Sequence, residues 1–476
     1  GQRYQILHLP PMQPLCLNTA FLLCALFFFS ILAGFLSSCE DSRGVSPTPG
    51  PYSYVRINTF TKDKMTDQYF WADEVKDKNI DPDSNPAEYF ATMKYPEDQW
   101  SRITSSKGLG EIADASGYDE GFGYNLTFWE KEGYIFADVN FVYPNSPAAK
   151  AGLKRGDLIT HMDGERITTE NYTNLYYASQ LSLGLSNDEV SEPYETKKLT
   201  AQTYTIDPVL DYGLIPLENQ TIGYMIYTDF VFRGNTSLAQ LNNVFQTLKS
   251  ANIDEFILDL RYNQGGYIFA VKQLCSLLAP EEVVENEELL IHKSWNKAYQ
   301  EKYADDPARL EEHFDKTVPL DSRLNLRRLW VITSKVTASA AEMLISALSP
   351  YMEVNVVGDI TMGKNMGGII YTPNDKDLQN WNIMLISTEY RNSRGESVKG
   401  GIPPMFPILE QFHHQYQLGD KEEPLLAATL QLITQDAIAT PVMNSRSSRS
   451  LDTGTPRRII PKFVQAKSRL LLGIEN

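Results

Sequence analysis

Cysteine and positive charge are both scarce in this sequence. Only Cys16, Cys24, Cys39 and Cys275 occur in 476 residues, and no Cys/His cluster has metal-site spacing, so neither a disulfide framework nor a zinc module is indicated. Asp and Glu outnumber Lys and Arg by 60 to 43, a formal net charge of −17, which argues against a nucleic-acid partner because that needs a basic face. The six histidines stand apart from any serine motif. His161 lies in an alternating stretch, His292 and His313 in a charged one, and His413 and His414 in a polar one. A G-x-S-x-G elbow is absent. A Ser-His-Asp enzyme therefore finds no support in the spacing, and no residue pattern calls for a cofactor or a metal.

What the chain does have is a serine and a lysine in the right kinds of local structure. Within residues 336–368, Ser339 opens a nearly all-apolar helix expected over 338–348, and a β-branched run, 354–357, ends in a glycine-rich turn holding Lys364. A serine at a helix mouth and a lysine in a tight turn can meet as nucleophile and base. The same residues carry structural alternatives. Ser339 and Glu342, three apart before an apolar run, fit a capping box. Residues 358–364 fit the G-x-x-x-x-G-K of a phosphate loop, but Asn365 stands where Ser or Thr is needed, and 367–371 reads as strand where a helix should begin. A third stretch, 256–266, ends an apolar strand in a polar turn closed by Gly265 and Gly266, leaving backbone N–H groups bare. With the N–H of Ala340 at the helix N-terminus, these are candidate donors to an oxyanion. Taken alone, the glycine pair reads as an ordinary strand-to-helix turn.

Together the three stretches resemble the C-terminal processing peptidases, or tail-specific proteases. The family's D-L-R-x-N-x-G-G turn is matched by Asp259 to Gly266, and its T-A-S-A-S-E-like segment by Thr337 to Glu342, with Ala341 for a serine. Its G-K-G-like turn is matched by Gly363 and Lys364, with Asn365 for the glycine, and Ser339 and Lys364 are 25 residues apart, as in the family pattern. Gly400 to Pro404 is similar to a late G-I-x-P-D segment, with Pro404 for the aspartate. The resemblance covers roughly residues 215–435 and implies a crotonase-like α/β core, with Ser339 as nucleophile and Lys364 as neutral base. One departure stands out: the glutamine often found four residues after the lysine is Gly368 here. Asn365, neutral and able to donate and accept, is the candidate to orient the lysine in its place. Glu342 is less suitable, since a carboxylate raises a lysine's pKa.

Residues 116–208 are similar to a PDZ domain. Gly121, Phe122, Gly123 and Tyr124 match its carboxylate-binding G-Φ-G-Φ loop, 146–153 its S-P-A-x-x-A-G-L helix, and 156–159 its G-D-x-I strand. Bare amides in such a loop hold a peptide's terminal carboxylate while the peptide adds as a strand. At the other end of the chain, an apolar run over 15–36 closes in Leu36-Ser37-Ser38-Cys39, which resembles the lipobox of bacterial lipoproteins. Its alternative is a membrane anchor, for which about 22 residues suffice.

The expected layout is a multi-domain α/β protein. A lipoprotein signal over 1–39 carries lipid on Cys39, and a Ser/Pro/Gly tether spans 40–51. A small helical domain over 52–115 and the PDZ-like β domain over 116–208 precede a serine protease core over 209–435 and a flexible tail over 436–476. A charged, partly helical insertion is expected over 281–321. The expected function is a membrane-tethered serine endopeptidase in the cell envelope of a Gram-negative-type bacterium, capturing proteins and peptides by their C-termini. Two alternatives remain open: an inactive lipoprotein that uses its PDZ-like domain only to bind, and a lipid-tethered scaffold.

Overall fold

A computed structural model describes residues 51–105, 118–231, 235–435, 456–460 and 469–471. The signal segment, the tether over 40–50 and Cys39 lie outside the described residues.

The catalytic half is built on a six-stranded sheet. Its strands follow the order Val209–Pro216, Thr221–Tyr227, Glu255–Asp259, Arg328–Thr333, Glu353–Gly358 and Phe406–Pro407. The first pair is antiparallel and the others are parallel. Parallel strands need crossovers and bury both faces, so the strand sequences read as β-branched and apolar runs. Helices Asn235–Ser250, Ile268–Leu278 and Ala340–Leu348 cover one face, and Pro424–Thr434 covers the other. Cys275 sits buried in the first of these layers, its thiol pKa pushed up by burial, as befits a core residue.

A second sheet stands beside the first and includes strands Gly265–Tyr267, Met366–Tyr371 and the long Trp381–Asn392. One feature of this sheet differs from the sequence-based expectation. The segment over 281–321 contributes strands Leu289–Ser294 and Glu311–His313, the former paired antiparallel with Trp381–Asn392, so it is part of the scaffold and more than a solvated insertion. The N-terminal helices Pro51–Asp67, Ala72–Val75 and Pro86–Met93 are likewise joined to this sheet. Strand Arg102–Ser105 adds to its edge, and Ile57, Tyr69 and Phe90 share one apolar cluster with Ile383, Leu385 and Ile386.

The PDZ-like region has its own core, including Phe122, Leu126, Val139, Ile159 and Leu183. Its sheet runs in the order Tyr124–Lys131, Tyr134–Val142, Leu158–Met162, Gln180–Ser186, Glu195–Thr200. Ser146 caps the short helix Pro147–Lys150 by accepting the Ala149 N–H at 3.2 Å, with Pro147 at the first helical position where no N–H is needed. The tail is not wholly irregular: Arg457–Ile459 and Arg469–Leu471 are paired strands.

Candidate active site

Three parallel strands deliver three loops to the same end of the central sheet, the carboxyl ends where open α/β sheets bind ligands. Glu255–Asp259 leads to the Gly265-Gly266 turn, Arg328–Thr333 to Ser339, and Glu353–Gly358 to the lysine turn. Backbone bonds lock the loops together. Ala338 N–H donates to Asn263 C=O at 3.0 Å, and Met362 N–H to Thr337 C=O at 2.9 Å. The buried Thr337 hydroxyl donates to Leu260 C=O at 2.9 Å.

Ser339 has φ 65° and ψ −117°, immediately before helix Ala340–Leu348. A side chain held at such a positive φ costs about 1–3 kcal/mol and persists only where its surroundings enforce it. Here Glu342 does so. Its Oε2 accepts the Ser339 N–H at 2.7 Å, the carboxylate half of a capping box. The buried Ser339 Oγ stands in the capping-box position toward the Glu342 N–H but makes no hydrogen bond of good geometry there or elsewhere.

The same Oε2 accepts the Lys364 N–H at 2.9 Å, while Oε1 accepts the Gly363 N–H at 2.6 Å and the Thr361 hydroxyl. One buried carboxylate thus clamps the backbones of both candidate catalytic residues. Burial raises its pKa, although these four donors pull it back down. Gly363 is at φ 86°, and a Cβ there would lie 2.6 Å from Gly401 N, so the turn closes only around glycine.

Lys364 is completely buried, and its pKa falls from 10.5 to about 7. Burial is the main cause and the Arg102 guanidinium the next, with Asp98 and Glu342 pulling the other way. Its Nζ lies 5.1 Å from the ring centroid of Trp100. Trp100, Arg102 and Asp98 come from the N-terminal region, which the sequence by itself marks only as a small helical domain. Asp98 Oδ1 accepts the N–H groups of Trp100 and Ser101 at 2.8 and 2.9 Å, and Oδ2 accepts the Tyr69 hydroxyl at 2.6 Å. An aspartate two residues before a tryptophan signals a local turn, but nothing local shows that the turn sets an indole ring over a lysine.

The structure sorts the other site residues. Gly265 is corrected: its N–H donates to Asn263 Oδ1 at 2.9 Å and is not available to an oxyanion. Gly265 C=O and Tyr267 N–H both bond Phe230, at 2.9 and 2.8 Å, so by strand alternation the Gly266 N–H faces the opposite side. Ala340 is the first residue of its helix, where amides have no intrahelical acceptor. Asn365 is also corrected. Its Nδ2 donates to Glu389 Oε1 at 3.0 Å and Ser397 Oγ at 3.1 Å, so its amide braces the exit of the turn rather than the lysine amine. Nor does Gly368 leave room for the missing glutamine, since a Cβ there would sit 2.7 Å from Leu385 O.

In the PDZ-like loop, Phe122 C=O accepts the Ala148 N–H and Gly123 C=O the Tyr143 N–H, both at 2.8 Å, fixing the loop to its helix. Gly121, Phe122, Gly123 and Tyr124 line a cavity together with Tyr262 and Gln264 of the catalytic turn.

Comparison with known proteins agrees with this division. Residues 221–408 match peptidase family S41, residues 56–102 the peptidase S41 N-terminal domain, and residues 139–178 a PDZ domain. The core over 221–408 is thus similar to the peptidase domain of family S41. Among relatives of this chain, a carboxyl-terminal-processing protease of Picosynechococcus sp. is 24% identical over 308 residues, covering 63% of this chain and 67% of that protein. Carboxyl-terminal-processing peptidase 2, chloroplastic, of Arabidopsis thaliana is 28% identical over 282 residues, 56% of this chain and 49% of that one. The chain thus spans about half to two thirds of the length of these curated relatives. Its fold is similar to a crystal structure of a putative S41 protease from Bacteroides fragilis, with a TM-score of 0.65 and 23% identity, covering 79% of this chain and 97% of that one.

Proposed function

We propose that the protein is a serine endopeptidase of the carboxyl-terminal-processing type, with Ser339 as nucleophile and Lys364 as general base. The observation that carries this reading is the pairing made by Glu342: a buried serine hydroxyl without a hydrogen-bond partner and a buried lysine with a pKa of about 7, their backbones clamped to one carboxylate oxygen. A lysine must be neutral to take the serine proton, and burial supplies that state near neutral pH. In this mechanism the Ser339 Oγ attacks the scissile carbonyl and Lys364 accepts its proton, later returning it to the leaving amine. The N–H groups of Gly266 and Ala340 hold the oxyanion. The place of the missing glutamine is taken by burial under Trp100.

The substrate is a protein tail, captured by the Gly121–Tyr124 loop, which opens toward the catalytic turn. The N-terminal segment is proposed to be a lipoprotein signal with lipid on Cys39, placing the enzyme in a bacterial envelope; an unmodified Cys39 in the mature protein's mass spectrum would exclude this. For the activity, the test is degradation of an unfolded protein with an apolar C-terminus. Cleavage that requires both Ser339 and Lys364, with weaker binding of C-terminally amidated peptides, supports the reading. Tail binding without any cleavage would establish the binding-only alternative.

A further inference from the structure

The tail of the chain enters the fold twice, each time at an edge where a peptide substrate would be read. Arg457–Ile459 pairs antiparallel with Tyr124–Lys131, with Arg457 opposite Glu130 and Ile459 opposite Phe128. That partner strand directly follows the glycine loop, and the tail covers its otherwise open edge. As tail numbers rise, those of the domain fall, so this part of the tail advances toward Gly121–Tyr124 as a captured peptide would. Side chains support the fit. Ile459 and Ile460 pack on the PDZ core, Arg457 Nη2 lies 2.9 Å from Glu130 Oε2, and Arg458 Nη1 lies 3.6 Å from Glu410 Oε2. Arg458, Ile459 and Ile460 share a cavity wall with Gln264 and Val336, beside the glycine turn and the serine loop.

Farther along, Arg469–Leu471 runs parallel to both Gly265–Tyr267 and Met366–Tyr371, with Gly266 opposite Leu470 and Gly368 opposite Leu471. The Gly266 amide, which faces away from Phe230, faces this strand. The main chain of the tail therefore bridges the strand carrying a candidate oxyanion donor and the strand leaving the lysine turn. An extended substrate has to reach that place. Charge favours the association, since residues 444–476 hold seven basic and two acidic side chains in a chain of net charge −17.

We infer that the strands 457–459 and 469–471 are tethered occupants of the substrate path, competing with external tails for the PDZ edge and the catalytic cleft. This rests on the peptidase reading above. Strand addition is held by main-chain hydrogen bonds, so the same edges take either the chain's own tail or another extended peptide. A tethered competitor works at an effective concentration on the order of mM, so weak external peptides are excluded and well-matched tails displace it. The kinetic consequence is a raised apparent KM with kcat unchanged.

The test compares the full chain with a full-length Leu470→Pro/Leu471→Pro variant, which removes two N–H groups from the strand. Cleavage of an unstructured fluorogenic peptide should show apparent KM falling by about fivefold or more in the variant, with kcat within about twofold, as follows when the tail's effective concentration is about four or more times its own dissociation constant. A synthetic peptide of residues 456–471 should then inhibit the variant competitively. Unchanged KM in a folded, active variant, or non-competitive inhibition, overturns the inference. A second measurement needs no activity: hydrogen exchange on the full-length Ser339→Ala chain should show a protected Gly266 amide that the proline pair exposes, while the amides of Gly265 and Tyr267, bonded to Asn263 and Phe230, stay protected in both. Absence of that protection overturns the inference even if the variant misfolds. Protection in the Ser339→Ala chain, with no cleavage by either the Ser339-containing full chain or its proline variant, would instead sink the peptidase reading and leave the tail's occupancy of both edges standing.

Discussion

Two buried cationic sites in this molecule have opposite electrostatic designs. At the contact between the PDZ-like region and the core, Arg261 is completely enclosed yet bonded on all sides. Its guanidinium makes a bidentate pair with Glu423 at 2.7 and 2.9 Å and donates to Asp259 at 2.8 Å. Arg155 of the PDZ-like region joins the same cluster, donating to the Tyr262 hydroxyl at 2.8 Å and lying 3.7 Å from Glu410. Burial alone would lower the pKa of Arg261, but Asp259 and Glu423 outweigh it and hold the charge. Lys364 is buried as deeply, faces an indole ring, and has Arg102 as an electrostatic opponent. Burial wins there, and the amine approaches neutrality. Depth is the same at the two sites; the carboxylates facing each side chain decide whether the cation is a structural tie or a candidate base.

The sharpest way to break that contrast is to remove the reactive groups. Ser339→Ala and Lys364→Met should each lower kcat by roughly a thousandfold or more, and the double variant should be little worse, because the pair acts as a unit. Lys364→Met should also keep or raise the melting temperature near pH 7. The folded-state pKa lies below the ordinary 10.5, so the folded chain binds fewer protons than the unfolded one between about 7 and 10.5. Burying this amine therefore costs stability at neutral pH, a penalty that shrinks as pH rises through that window. A melting temperature that falls in step with activity would show that Lys364 is structural.

Breaking the other site should have the reverse profile. Arg261→Met leaves Asp259 and Glu423 buried without their cation and should cost about 3–5 kcal/mol, read as a lower denaturation midpoint. A midpoint unchanged from wild type would contradict the network's structural role.

Next in size is the pH dependence. If Lys364 is the base, kcat/KM should fall about tenfold per pH unit below its midpoint near 7 and level off above it. The arginine cluster answers at a different pH. Burial would raise the pKa of Glu410, but His414, Arg458, Arg261 and Arg155 depress it to about 2. The stability it contributes is present above its ordinary value of 4.5 and lost as pH falls toward 2. Acid-unfolding curves of wild type and Glu410→Gln should therefore converge within that window. A rate profile flat from pH 6 to 8 would remove the case for lysine as base.

The smallest expected effect separates Asn365 from Trp100. Asn365→Ala should change kcat by less than about threefold, the scale of a typical net hydrogen bond, because both bonds of its amide go to Glu389 and Ser397 and none to the lysine amine. Trp100→Ala should admit water to the amine, weaken the desolvation that dominates its pKa, and move the kcat/KM midpoint upward. A large loss on Asn365→Ala with no midpoint shift on Trp100→Ala would restore Asn365 as the lysine's positioning residue.

The alternation of strands and helices, the apolar strand cores and the three loops with Ser339, Lys364 and Gly266 were legible in the sequence. Each depends on local periodicity, glycine placement and capping, which act over a few residues. Side-chain direction was not. Asn365 has the right chemistry one residue from the lysine, yet its amide turns to partners 24 and 32 residues away. Gly265 looked as available as Gly266 until the Asn263 side chain claimed its N–H. Glu342 read as a helix cap, and its second pair of bonds to Thr361 and Gly363 exists only once the lysine turn folds against it. The tail carries no periodic pattern, because its order at 457–459 and 469–471 comes from open edges elsewhere in the chain. Sequence alone determined which residues could do chemistry and which stretches could form strands and helices, since those choices are short-range. Tertiary structure decided which ring covers the lysine and where the tail lies, because burial and long-range hydrogen bonding act between residues hundreds of positions apart.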